Sequence, residues 1–474
     1  MLKSVGIQVL HVQDIVLLPL YLIVILLFAW IYKNIHYKEY PFGKYMMPGL
    51  LVKIFGGLAM GAVYIYYYDG GDTFYYYYDS QTFNIAFNQS FDQFLKLLFL
   101  PANTVTTDTY ESTNWLVYFN DRSGWTADKV YGIISLFTFH SYPVMTLVIA
   151  TLTFTGAWAL YLTFNDLYPG LYKQFALAIL FIPSVFFWGS GILKDSITFG
   201  CLGWMTYSAY LIFFKGRNII RNGLVLFFTG YLAIMLKAYI VISFVPALLF
   251  WVLFTYRSRI QNQFIKVVFG PAMFAIAMLF SFLMVQLLGS EFSKFSLQNV
   301  MDTAQTFQTW HSYLADNANA SGYTLGEFDG SLLSMVTKVP AAVNVTLFRP
   351  YLWEVNNMVM LAAALESMLL FGFTLYILIR NGVGRTITSV VTNPTVFFCF
   401  FFAIVFAFAV GFTTYNFGAL VRYKIPCIPF FLAGLMILNL ETTQKRIAAS
   451  NERAIRKKRH IAIAQQRTLT NNAI

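Results

Sequence analysis

Residues 14–32 read DIVLLPLYLIVILLFAWIY, an apolar run whose one charge stands at its first position. A helix rises 1.5 Å per residue, so about 20 such residues match the ~30 Å hydrocarbon core of a bilayer. Runs of this kind recur along the 474 residues. They constrain the fold more than any motif does, because a backbone in hydrocarbon must satisfy its hydrogen bonds internally. A closed barrel does so with alternating strands of about ten residues, whereas these runs are longer and continuous. The chain is therefore expected to be all-α, a polytopic helical membrane protein. Only 11% of its residues are charged and 58% are hydrophobic, against about 25% charged in a soluble domain. Cys201, Cys399 and Cys427 lie in or beside apolar runs. They read as small buried hydrophobes rather than disulfide or metal ligands.

Hydropathy places about eleven spans, near 13–32, 46–67, 140–164, 173–188, 196–214, two within 222–256, 266–288, 355–379, 394–411 and 425–440. The stretch 222–256 is too long for one crossing and breaks best at Lys237. Two long segments, 68–139 and 289–352, do not span. Residues 1–440 thus make one membrane domain and 441–474 a basic tail. The first run has no small-residue cleavage site, so it reads as a span rather than a removed leader. Short loops on one side carry Lys33, Lys38, Lys44, Lys215, Arg217, Arg221, Arg257 and Arg259. Cations gather in cytoplasmic loops, so this side is expected inside. The segment 68–139 holds eight acidic residues from Asp69 to Asp128 and is expected outside, with the N-terminus outside and the C-terminus in the cytoplasm. The net charge of +11 sits mostly in the basic loops and the tail. Nucleic acid is therefore not an expected partner, and the tail reads as drawn to anionic inner-leaflet lipids.

Polar groups at a membrane edge are expensive and need a reason. In this topology the unusual ones collect on the outer face. The stretch YIYYYDGGDTFYYYYDS, residues 64–80, carries Asp69 and Asp72 around a Gly-Gly pair. The glycines permit a turn that aims Asp72 towards the membrane as a base; the bland alternative is a solvated turn in an interfacial tyrosine belt. In PSVFFWGSGILKDS, Pro183 can break the fourth span, and Lys194 with Asp195 would open the fifth. A lysine beside a helix N-terminus suits phosphate, or simply pairs with Asp195. Lys237 tops the next hairpin. Arg349 of LFRPYLWE could clamp a phosphate or pair with Glu354. Arg422 and Lys424 run against the inside-positive pattern and invite an anionic ligand. Trp188 and Tyr423 would support as ring-stacking aromatics. Glu366 lies within a span and needs a hydrogen-bond partner there. His140 and His311 read as structural. No zinc-protease, serine-hydrolase or P-loop signature occurs. No metal ligands or cofactor are expected, a divalent ion being allowed but not indicated.

GGDTFYY, an acid in the first large outer loop, resembles the GT-C superfamily of membrane glycosyltransferases. PSVFFWGSGILKDS, LFRPYLWE and NFGALVRYKIPCIPFFL look like bacterial membrane proteins near the sugar polymerases and ligases of surface polysaccharide assembly. The likeness covers the span pattern across most of the chain, but only Asp72 maps onto the superfamily's acidic position. The chain lacks an adjacent Asp-Glu pair there and has an extra span before the loop. The resemblance implies an inner-membrane enzyme that takes a polyprenyl-(pyro)phosphate-linked sugar donor. Asp72, with Asp69 as second candidate, would be the base. Lys194, Lys237, Arg349, Arg422 and Lys424 would bind the phosphates. Within this reading, single-sugar transferase and repeat-unit polymerase or ligase stand side by side. Two other classes stay open: a transporter or flippase of a lipid-linked anion, and a non-catalytic subunit whose outer polar groups pair with one another.

Overall fold

The structure, a computed structural model, describes residues 9–262, 275, 322–326 and 332–444. Its first half runs α1 Asp14–His36, α2 Met46–Tyr66, α3 Asp72–Gln89, α4 Phe91–Phe99, α5 Tyr110–Thr113, α6 Arg122–Phe137, α7 Tyr142–Leu167, α8 Tyr172–Leu180, α9 Pro183–Trp188, α10 Lys194–Tyr210 and α11 Ile219–Arg259. The second half runs α12 Leu332–Thr337, α13 Val339–Phe348, α14 Met358–Asn381, α15 Val383–Thr392, α16 Pro394–Thr413, α17 Phe417–Tyr423 and α18 Cys427–Gln444. Apart from an isolated bridge between Gly322 and Asn416, the described elements are helical.

Eight of these helices are long and apolar enough to cross a membrane: α1, α2, α7, α10, α11, α14, α16 and α18. The difference from eleven has three sources. The span expected at 266–288 lies outside the described residues. The span expected at 173–188 is two short helices, α8 and α9. Pro183 opens α9, and Ile182 before it is extended (φ −71°, ψ 124°), as a residue preceding proline prefers. Third, α11 covers both spans expected within 222–256.

Yet α11 is not straight. Lys237 is non-helical (φ −151°, ψ 79°), and both ends of α11 return to one end of α10. The N–H of Arg217, just before α11, donates to the Leu211 carbonyl at 3.1 Å. Tyr256, near its other end, donates to the Phe213 carbonyl at 2.9 Å. Leu226 and Leu253 line one cavity of about 440 Å³. The helix therefore doubles back at Lys237 into two antiparallel legs, where the sequence breaks best.

A close backbone crossing joins α7 to α10. A Cβ on Gly156 would sit 2.0 Å from the Gly200 carbonyl oxygen, and one on Gly203 would sit 2.0 Å from that of Gly156. Small residues let membrane helices approach to backbone contact, which maximises dispersion where lipid removes the hydrophobic drive. The three cysteines are buried and free, as their setting suggested.

Neither long segment is a plain loop. Residues 72–137 form α3 to α6, which surround a small core of Phe83, Phe94, Leu97 and Trp125. At the end of the second segment, α13 is apolar and packs on α16. Thr346 there donates its hydroxyl to the Ala407 carbonyl at 2.7 Å.

Hydrogen bonds tie the loops into two opposite ends. At one end, Asn393 donates to Glu441 at 2.6 Å, and Lys215 meets Asp166 at 2.9 Å. At the other, Gln13 donates to the Phe139 carbonyl, Ser123 to that of Leu236, and Lys424 to that of Arg349. This second end holds the charges that hydropathy left unexplained. The tail from 445 onwards, His311 and most of the polar stretch SYLADNANASGYTLGEFDGS, read from sequence as a lid, lie outside the described residues.

Candidate functional site

The turn between α2 and α3 sets the position of Asp72. Asp69 (φ 48°), Gly70 (φ 145°) and Gly71 (φ 133°) all have positive φ. A Cβ on Gly71 would lie 2.5 Å from the Tyr64 ring, so conformation and space both demand glycine there. Gly71 caps α3, and Asp72 is its first residue, where the helix dipole favours an acid. Asp72 Oδ2 lies 3.1 Å from Arg422 Nη1, and its Oδ1 accepts a hydrogen bond from Tyr118 at 3.1 Å. The same Arg422 nitrogen donates to the Tyr64 hydroxyl at 3.1 Å. Tyr64 meets Trp188 edge-on, with ring centres 6.3 Å apart. Burial first, then the Asp72 charge, pushes the Tyr118 hydroxyl well above its ordinary range, so it stays a donor to Asp72. Asp69 is exposed on the turn, and it is Asp72 that Arg422 engages.

Beside this pair, α10 begins with Lys194 and Asp195. Lys194 donates to Ser123 Oγ at 2.9 Å and lies 3.5 Å from Asp121, both at the start of α6. Asp121 also caps α6 by accepting the Gly124 N–H at 2.8 Å. Asp195 meets Lys237 at 2.5 Å, with both side chains under a tenth exposed. The Lys237 ammonium stands 4.0 Å from the Tyr423 ring centre, and Arg422 lies over the same ring at 5.7 Å. Tyr423 therefore joins the Lys237–Asp195 pair to the Arg422–Asp72 pair.

Arg349, Glu354 and Lys424 make a second group. Arg349 grips Glu354 with Nε (3.1 Å) and a closer Nη2 contact, and Glu354 also accepts the Tyr351 N–H at 2.7 Å. Burial raises the Glu354 carboxyl, but these bonds outweigh it and hold it below its ordinary range. Buried Lys424 donates to Ser367 Oγ at 2.9 Å and to the Arg349 carbonyl at 3.2 Å. The helix α17 links the groups. Phe417 at its start lies 5.1 Å under the Arg349 guanidinium, and Arg422 at its end reaches Asp72. Nearby, Glu366 accepts both the Ser184 N–H (2.7 Å) and its hydroxyl (2.6 Å). It thereby caps α9, where Pro183 broke the span.

Several contributors were not legible as site residues in the sequence. Asp128 on α6 is fully buried, and neither carboxylate oxygen has a hydrogen-bond partner among the described residues. Burial, then the nearby Asp79 charge, raises it well above the carboxylate range, against the pull of Lys194. The Tyr131 hydroxyl is likewise buried without a partner. Lys53, buried in α2, donates to the Gly189 carbonyl at 2.6 Å. Asp121 caps the start of α6, and nothing in the sequence around Asp128 marks it as buried.

Of the two acids that pair with Arg422 and Lys237, Asp72 is the one a substrate can reach; Asp121 beside Lys194 is as open, and Asp69 lies exposed on the turn. The Asp72 side chain is 45% exposed, against 7% for Asp195. Among the described residues, no group of three or more His, Cys, Asp or Glu is placed to hold a metal ion. Comparison with protein-family models, with curated proteins and with solved structures gives no match.

Proposed function

We propose that the chain is an inner-membrane glycosyltransferase or oligosaccharide transferase that takes a polyprenyl-(pyro)phosphate-linked sugar at its outer, periplasmic face. On this reading it crosses the membrane about eleven times, with the Asp72 end outside. The observation that supports it is a half-exposed carboxylate, Asp72, held by Arg422, in a cluster that also contains Lys194, Lys237 and aromatic rings. An ion-paired carboxylate is a poor base. A donor phosphate that takes Arg422 for itself would release Asp72 to accept the proton of an acceptor hydroxyl. The acceptor oxygen then bonds the anomeric carbon as its bond to the phosphate oxygen breaks, and the lipid phosphate leaves on Arg422 and Lys194. The same arrangement serves a repeat-unit polymerase or ligase. The test is Asp72→Asn, which should abolish glycan transfer while leaving membrane expression intact.

A second reading, a non-catalytic membrane subunit, is favoured by the pairing of Lys237 with Asp195 and of Arg349 with Glu354. It requires an unchanged glycan profile in the Asp72→Asn strain.

A further inference from the structure

Helix α1 packs one face, with Leu22, Ile25 and Ala29, on the bundle and leaves the rest of its surface open. Only 6% of its most apolar window is buried. Between α1 and the first leg of α11 lies a cavity of about 510 Å³, within the roughly 300–1,000 Å³ typical of ligand sites. Phe28 and Ala29 of α1 form one wall and Val225 of α11 the other, while Phe154 and Trp158 of α7 line it from behind. The lining is mainly apolar, but Arg221 lies at its edge. Arg221 is exposed and forms no ion pair among the described residues, whereas neighbouring Lys215 is neutralised by Asp166. Asn222, 5% exposed, donates to the Arg217 carbonyl at 2.8 Å and fixes the turn that presents Arg221.

An apolar slot walled by two lipid-facing helices, with a guanidinium at its edge that no described residue pairs, has the polarity of a phospholipid. We infer that this cavity binds one anionic phospholipid of the cation-rich face, its acyl chain between α1 and α11 and its phosphate on Arg221. The site is remote from Asp72 and independent of the transferase reading. A free phosphate would not fill the apolar slot, so the chain and the charge are both required.

Native mass spectrometry of the full-length protein in detergent, with phosphatidylglycerol and phosphatidylcholine as probes, tests this. Wild type should retain one phosphatidylglycerol in preference to phosphatidylcholine. Arg221→Gln should lower phosphatidylglycerol retention about fivefold, the effect of one cation at a lipid surface, and leave phosphatidylcholine unchanged. Ala29→Trp, which fills the slot from α1, should abolish retention of both lipids; Val225→Trp does the same from the opposite wall should Ala29→Trp fail to fold. Equal retention of the two lipids by wild type, or retention unaltered in a folded slot-filling variant, overturns the proposal.

Discussion

Arg422 and Asp72 lie 350 positions apart in the chain, yet their side chains meet at 3.1 Å. The pair fastens the last short helix before α18 to the turn after α2, and Tyr64 and Tyr118 complete its hydrogen bonds.

Asp72 is nearly half exposed while Arg422 is largely buried, and asparagine keeps an oxygen to which Arg422 can donate, so the change should cost about 1–2 kcal/mol. Asp72→Asn should therefore unfold within a few degrees of wild type and, on the transferase reading, lose glycan transfer. If Arg422 and Asp72 act together on substrate, Arg422→Gln combined with Asp72→Asn should lower activity no further than the worse single change. Transfer rates and thermal melts of the four proteins check both statements.

The Lys237–Asp195 pair behaves oppositely. Lys237→Met leaves a carboxylate buried without its counter-charge, which costs about 3–5 kcal/mol. Adding Asp195→Leu should recover most of that loss, since an apolar replacement of both partners is close to neutral. Urea or thermal unfolding in detergent reads this directly. Equal stability of the single and double variants would sink it.

Glu366 should matter through α9. Glu366→Gln puts an amide group where two Ser184 donors point, so one donor loses its acceptor at about 1–3 kcal/mol. Hydrogen exchange should quicken over 183–188 and leave the α7–α10 crossing unchanged.

Asp79 gives a pH prediction. Its carboxyl is pushed up to about 6, by burial first, against the N–H groups of Tyr118 and Val117 that it accepts. A raised acid favours folding while it is protonated. Its contribution is fully present below the unfolded value near 3.9 and is lost as pH rises through about 6. His140, lowered to about 4 by burial, works the other way: folding loses stability as pH falls from about 6.5 towards 4. Asp79→Asn should remove the first dependence and keep the second. Its stability should gain on wild type between pH 4 and 7, by about 3 kcal/mol at most. Melting temperatures across that range check the slope.

The legible parts of the fold were those with local causes. Apolar length announced the spans, Pro183 the break between α8 and α9, and the over-long run the fold-back at Lys237. Asp72 stood out because two glycines precede it and it falls on the face where the other out-of-place charges collect. What stayed hidden depends on distant contacts. Lys237 was expected to hold phosphate, but Asp195, 42 positions earlier, already occupies it. Arg349 is taken by Glu354, the rival partner the sequence itself offered. Asp128 sits in a polar, acidic stretch, and only the packing of α3 on α6 shows that no water reaches it.

The glycine crossing of α7 and α10 has a mechanical consequence. With carbonyls where Cβ atoms would otherwise stand, the two helices can neither roll nor slide past one another without a backbone collision. They act as a keel. Lys194 and Asp195, at the top of α10, are therefore fixed points, against which α3 places Asp72 as its first residue and α17 places Arg422.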